Sequence, residues 1–147
     1  LSENAIAGRL ASDLEIGGGS KRAGALLFVS GHGSDLLDAP DIVRHGRVPD
    51  EVSLGEAERT ARAVALKMLG TVAHALGSLD AVEGVVKLNG YVLSAPGFDA
   101  MNAVINGASD LMVAVFGPAG VHSRSTLGVA AMVKGQTIEI DGIFAIR

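Results

Sequence analysis

Residues 54–76, LGEAERTARAVALKMLGTVAHAL, constrain the fold more than any other stretch of this chain. Ala57, Ala61, Val64, Met68, Val72 and Ala75 recur every three or four positions and make one apolar stripe, widened by Ala65, Leu69 and Leu76. Ser53 and Glu56 spell an S-x-x-E capping box, and Gly77 stands where a left-handed residue closes a helix. Glu58 and Arg62 form an i,i+4 pair on the opposite side. A long amphipathic helix is thus fixed, and it needs a surface to cover.

The other apolar segments are mostly short and read as strands. Residues 25–31, ALLFVSG, are almost continuously apolar, the mark of a strand buried on both faces. Residues 82–93, VEGVVKLNGYVL, form another strand, broken by SAPGF. A second helix is expected over 99–116, with Val104, Ala108, Leu111, Met112 and Val115 apolar. Residues 124–132 and 137–146 read as two strands joined at Lys134–Gly135, most simply as a hairpin. Upstream, a short helix is expected over 3–14 with Ser2 as its N-cap, and IGGGSKRAG reads as a loose turn. The stretch 32–52 is loop-rich, with one short strand around Val43–Gly46. The expected fold class is α+β: a single mixed sheet with both long helices on one face. Two long helices and short final strands do not make a doubly wound fold. At 147 residues the chain forms one domain, with residues 1–23 as an N-terminal extension.

Composition removes several function classes. The net charge is −4 and no Lys/Arg cluster exceeds two in a row, so a basic nucleic-acid-binding face is missing. There is no cysteine, hence no disulfide and no thiolate ligand. No apolar run is expected to reach the ~18 residues that a membrane span needs, and the first residues lack a signal-peptide core. A soluble, cytoplasmic protein is the expectation. Aromatics are only 3%, so Ala, Val, Leu and Ile must build the core.

One feature then calls for a function. HSRSTLGVAAMV, residues 122–133, places a permanent cation at the mouth of an otherwise uncharged strand. Such an arginine either covers a sheet end or waits for an anion. In the terminal strand TIEIDGIFAIR, alternation sends Ile138, Ile140, Phe144 and Ile146 to the core, and Glu139 and Asp141 the other way. With a two-residue turn at Lys134–Gly135, Ala130 pairs with Glu139 and Arg124 shares the face of Glu139. Six residues along the strand still separate them, roughly 20 Å. If both charges serve one site, they come from different subunits. The face lined by Thr126, Gly128 and Ala130 also needs covering, which a symmetric oligomer would supply.

LLFVSG at 26–31, VVKLNGYV at 85–92, NGASDL at 106–111, HSRSTLGVAA and IEIDGI together resemble the Rid family, the reactive intermediate deaminases also called YjgF-like or L-PSP endoribonuclease proteins. The resemblance runs from residue 24 to 147 and points to a longer, less characterised branch. It implies a chorismate-mutase-like fold and a homotrimer with clefts between subunits. It implies hydrolysis of enamine/imine intermediates such as 2-aminoacrylate to a 2-keto acid and ammonia, without cofactor or metal. By that resemblance Arg124 clamps the substrate carboxylate, Glu139 of the adjacent subunit positions the attacking water, and Gly31 and Asn106 lie in the pocket. The family's early tyrosine has no counterpart: the region near residue 17 reads GGGSK, and the only tyrosine is Tyr91.

The chemistry of the residues is consistent with those roles. A guanidinium fork matches a carboxylate in a way lysine cannot, and a shielded carboxylate can orient and deprotonate water. Ser125 and Thr126 follow the arginine and are candidate substrate contacts. His32, between two glycines, is a candidate pocket residue or a loop histidine, and His122 could rim the pocket. GGGSK is not a phosphate-binding P-loop, VSGHG is not a nucleophile elbow, and the four histidines lack metal-ligand spacing. Two other readings remain: a non-catalytic trimer that holds a small carboxylate or acts as a chaperone, and a ribonuclease, against which the acidic charge and few aromatics speak.

Overall fold

The computed structural model describes residues 19–147. The helix expected over 3–14, with its cap at Ser2, lies outside the described residues. Five strands form one sheet: β1 (Ser20–Ala23), β2 (Leu26–Gly33), β3 (Val82–Leu93), β4 (Ser123–Val129) and β5 (Ile138–Ile146). Their spatial order is β1-β2-β5-β3-β4, and two long helices, α1 (Leu54–Leu76) and α2 (Met101–Phe116), lie against one face. The fold is the expected α+β class.

Helix α1 has the bounds its caps dictate. The Ser53 hydroxyl accepts from the Glu56 N–H at 3.2 Å, the Glu56 carboxylate accepts from the Ser53 N–H at 2.9 Å, and Gly77 takes φ +82°. The stripe from Ala57 to Val72 is buried, although Ala75 beyond it is exposed. Helix α2 starts two residues later than expected and buries Val104, Ile105, Ala108, Leu111 and Met112. The helices approach closely at Gly107, where a Cβ would stand 2.1 Å from the Glu58 carbonyl oxygen. The segment Met101–Gly120 is long and apolar enough to cross a membrane by length and composition, contrary to expectation. Its buried residues pack on α1 and the sheet, as a core helix does.

The final two strands are not a hairpin. Strand β4 runs parallel to β3, with Arg124 beside Leu88, while β5 lies antiparallel between β2 and β3. The cause is burial. Ile138, Ile140, Phe144 and Ile146 are all at most 1% exposed and need neighbours on both sides. The more polar β4 goes to the edge, carried there by the crossover through α2. The turn at Lys134–Gly135, with φ of +54° and +66°, joins strands that are not neighbours.

Three smaller expectations are corrected. SKRA pairs with β2 as an exposed edge strand instead of forming a loose turn. No strand forms over Val43–Gly46. That segment is tied down piecewise: the Ser34 hydroxyl donates to the Arg44 carbonyl, Thr60 donates to the Val43 carbonyl, and His45 makes one isolated bridge to Gln136. Strand β2 has one open face, where Phe28 is 42% exposed.

Candidate functional site

The site residues fall into two groups on opposite faces of the sheet. The first lies at the edge strand. Leu88 points into the helix-covered core, so its lateral neighbour Arg124 also points to the helix side, over α2. There Arg124 Nη1 donates to Asn106 Oδ1 at 2.9 Å and to Ser109 Oγ at 3.0 Å. Ser109 Oγ also lies 3.0 Å from His122 Nε2, and the other ring nitrogen, Nδ1, bonds the Gly120 carbonyl. A carbonyl only accepts, so Nδ1 carries the proton; in the neutral ring Nε2 then accepts the Ser109 hydroxyl proton. Ser109, Val113, Val121, His122 and Arg124 line an open cleft of about 230 Å³. Nε and Nη2 of Arg124 have no partner among the described residues and are available to a ligand.

The second group lies on the open face. Glu139 and Asp141 alternate with the buried isoleucines of β5 and flank Tyr91 and Asn89 of β3. Asn89 donates to Asp141 Oδ1 at 2.7 Å and Tyr91 donates to Oδ2 at 3.2 Å. Partial burial and the Asp141 charge raise the Tyr91 pKa, keeping the phenol protonated. Asp141 is thus committed to its neighbours. Among the described residues Glu139 receives only one long bond, 3.4 Å, from Gln136 Nε2. Gly31 backs onto it: a Cβ there would stand 2.8 Å from the Glu139 carboxyl carbon.

The structure therefore joins Arg124 to Asn106, with Thr126 two residues on along the same face, and joins Gly31 to Glu139. It does not join the two groups. Arg124 and Glu139 are on opposite faces, with β3 between their strands and three residues of offset along the ladder. The expectation that they share a face came from the hairpin register and is corrected with it; that one chain does not bring them together still holds. Thr126 and Gly128 likewise face the helices, not an uncovered surface. Ser125 points away from the arginine, beside Asn89 on the open face.

His32 is not a pocket residue. A bulge between Val29 and His32 shifts the alternation and turns its ring into the core, where it is 3% exposed. Nδ1 bonds the Ser30 carbonyl and Nε2 the Thr71 hydroxyl, each at 2.7 Å. Burial, helped by the nearby Lys67 charge, lowers its pKa, so the ring stays neutral. Sequence reasoning missed Ser109. It lies 13 residues before His122 across the end of α2, and no local pattern links them.

A family model described as Endoribonuclease L-PSP matches residues 20–146. The chain belongs to this family. Its solved Rid and L-PSP relatives share the single sheet and paired helices seen here. Atu1372 from Agrobacterium tumefaciens, a protein of unknown function, is 37% identical, with a TM-score of 0.82 over 87% of this chain and 80% of that one. YyfA from Yersinia pestis, described as a conserved Rid-family protein of unknown function, is 22% identical, with a TM-score of 0.56 over 86% of this chain and 85% of that one. Protein TCP17 from Trypanosoma cruzi is 41% identical over 103 residues, covering 69% of this chain but only 64% of TCP17. The chain thus matches under two-thirds of the length of that curated relative.

Proposed function

We propose that this L-PSP/Rid chain hydrolyses reactive 2-enamino and 2-imino acids, 2-aminoacrylate among them, to a 2-keto acid and ammonia, in clefts between three copies in the cytoplasm. The observation that carries the reading is the state of Arg124. It is held at one nitrogen by Asn106 and Ser109 and keeps two donating nitrogens at an open cleft. A small carboxylate matches that fork. Hydrolysis further needs a carboxylate that can take a proton from water, and Glu139, lightly bonded and backed by a glycine, is the freer of the two acids on the open face. Because the two groups do not meet in one chain, a neighbouring copy supplies the acid. Water adds to C2 of the imine, its proton passes to Glu139, and the carbinolamine collapses with loss of ammonia.

The test is turnover of 2-aminoacrylate generated in situ, with the mass measured by light scattering. Wild-type protein is expected as a trimer that accelerates hydrolysis, and R124A as an equally trimeric protein that does not. A monomeric wild type, or R124A with wild-type rates, overturns the reading. A second reading, a trimer that binds a small carboxylate without turnover, is favoured by one observation: the only tyrosine has its hydroxyl engaged by Asp141. Saturable 2-ketobutyrate binding with no hydrolysis would select it.

A further inference from the structure

The chain of bonds around Arg124 does more than hold an arginine. Asn106 Oδ1 accepts one bond from Nη1. Ser109 adds a hydroxyl whose oxygen accepts from the guanidinium while its proton points at His122 Nε2, 3.0 Å on either side. The Gly120 carbonyl fixes the ring with Nδ1 protonated, leaving Nε2 as the base. A hydroxyl between a cation and an oriented imidazole is arranged for proton transfer: the cation stabilises the oxygen when the proton leaves, and the ring receives it. All three side chains line the same cleft. A three-carbon acid held by the free nitrogens of Arg124 would enter the cleft that Ser109 also lines.

We propose that Ser109 and His122 form a proton relay that moves a proton on and off C3 of a 2-imino or 2-keto acid held by Arg124. The proposal rests on Arg124 as the carboxylate clamp, but not on hydrolysis. In the enamine direction, the Ser109 hydroxyl gives its proton to C3. The C2=C3 pair becomes the new C–H bond, and the nitrogen lone pair forms C=N⁺. This direction starts with His122 as the imidazolium, its Nε2–H donating to Ser109 Oγ so that the hydroxyl proton turns to C3; the ring returns its proton to Ser109 and takes another from hydronium or a buffer acid. In the reverse direction with a 2-keto acid, Ser109 takes a proton from C3 as its own passes to Nε2. The C–H electrons move to the carbonyl oxygen, giving an enolate beside the guanidinium. Ser109 is the catalytic residue and His122 acts through it.

The keto-acid direction gives a direct assay. Pyruvate in D2O is incubated with the intact protein, and loss of its methyl proton signal is followed by NMR. Wild-type protein is expected to exchange the methyl protons faster than buffer. S109A and H122Q should slow exchange at least 10-fold, well beyond any loss of pyruvate affinity, which stays within a few-fold of wild type because Asn106 still holds Nη1. S109T, which keeps the hydroxyl, should retain it, and H122Q should flatten the pH dependence of the rate. Exchange no faster than buffer in the wild type, undiminished exchange in S109A and H122Q, or a parallel loss of affinity and exchange overturns the relay. Measured beside 2-aminoacrylate hydrolysis, exchange without hydrolysis retires the deaminase reading alone, and hydrolysis without exchange retires the relay alone.

Discussion

Two histidines in this chain make the same pair of hydrogen bonds in very different surroundings. His32 and His122 each place Nδ1 on the carbonyl two residues upstream, and Nε2 on a helix-borne hydroxyl, Thr71 for one and Ser109 for the other. His32 lies inside the core with its charged form disfavoured by burial. His122 lies on an open cleft, one hydroxyl away from a guanidinium. A hydrogen-bond pattern therefore does not assign a role by itself. Solvent access and the neighbouring charge decide whether the same imidazole packs a core or serves a reaction.

The sharpest way to break this contrast is to remove the charge. If Arg124 clamps the substrate as proposed, R124A takes away at least two charge-assisted bonds to a carboxylate. At ~1.5–3 kcal/mol each, kcat/KM for 2-aminoacrylate should fall roughly 100-fold or more in a steady-state assay. Its urea midpoint should stay near that of wild type, because the side chain sits on an edge strand over an open cleft. A large drop in stability with modest loss of turnover would make Arg124 a structural brace.

The core histidine should show the inverse. H32A leaves a cavity and strands the Ser30 carbonyl and Thr71 hydroxyl, costing about 2–3 kcal/mol by urea unfolding. H122A should cost under about 0.5 kcal/mol in the same measurement. Equal losses in the two variants would erase the distinction.

A subtler difference is in pH. The folded-state pKa of His32 is depressed, so below its unfolded value of about 6.5 the unfolded chain binds a proton that the folded chain does not. Stability contributed by the neutral ring is full above that value and is lost as pH falls. The slope contributed by this residue cannot exceed ~1.4 kcal/mol per pH unit, and it ends where the folded ring also protonates. Urea unfolding of the wild type between about pH 7.5 and 5 should show stability falling with pH, and H32Q should flatten that fall.

The contrast also marks what the sequence disclosed. Helix α1 was legible to the residue because its signals are local: a capping box, a stripe and a closing glycine. The core positions of β5 were legible from alternation alone. Strand order was not, because Lys134–Gly135 resembles a hairpin turn and nothing local reveals that β4 runs parallel to β3. The better clue was the difference in apolar content, which assigns β5 to the centre and β4 to the edge. His32 was misplaced because a two-residue bulge inverts the phase of the strand. Arg124 stood out as a lone cation at the mouth of an uncharged strand, its role and Asn106 came through the family resemblance, and the Ser109–His122 pair exists only once α2 and β4 are packed together.

The smallest expected effect separates anchoring from binding within the arginine cluster. Asn106 Oδ1 accepts one Nη1 bond at 2.9 Å and does not line the cleft wall with Ser109 and His122. N106A leaves Arg124 tethered by Ser109 alone, so the guanidinium keeps its charge and free donors but samples more orientations. A neutral acceptor to a charged donor is worth ~1.5–3 kcal/mol when buried and less at this partly open site. KM for 2-aminoacrylate should therefore rise a few-fold with kcat nearly unchanged, a loss of ground-state and transition-state binding alike. If kcat falls instead while KM holds, the arginine's orientation matters in the transition state itself, and Asn106 belongs with Ser109 among the residues that shape the chemical step.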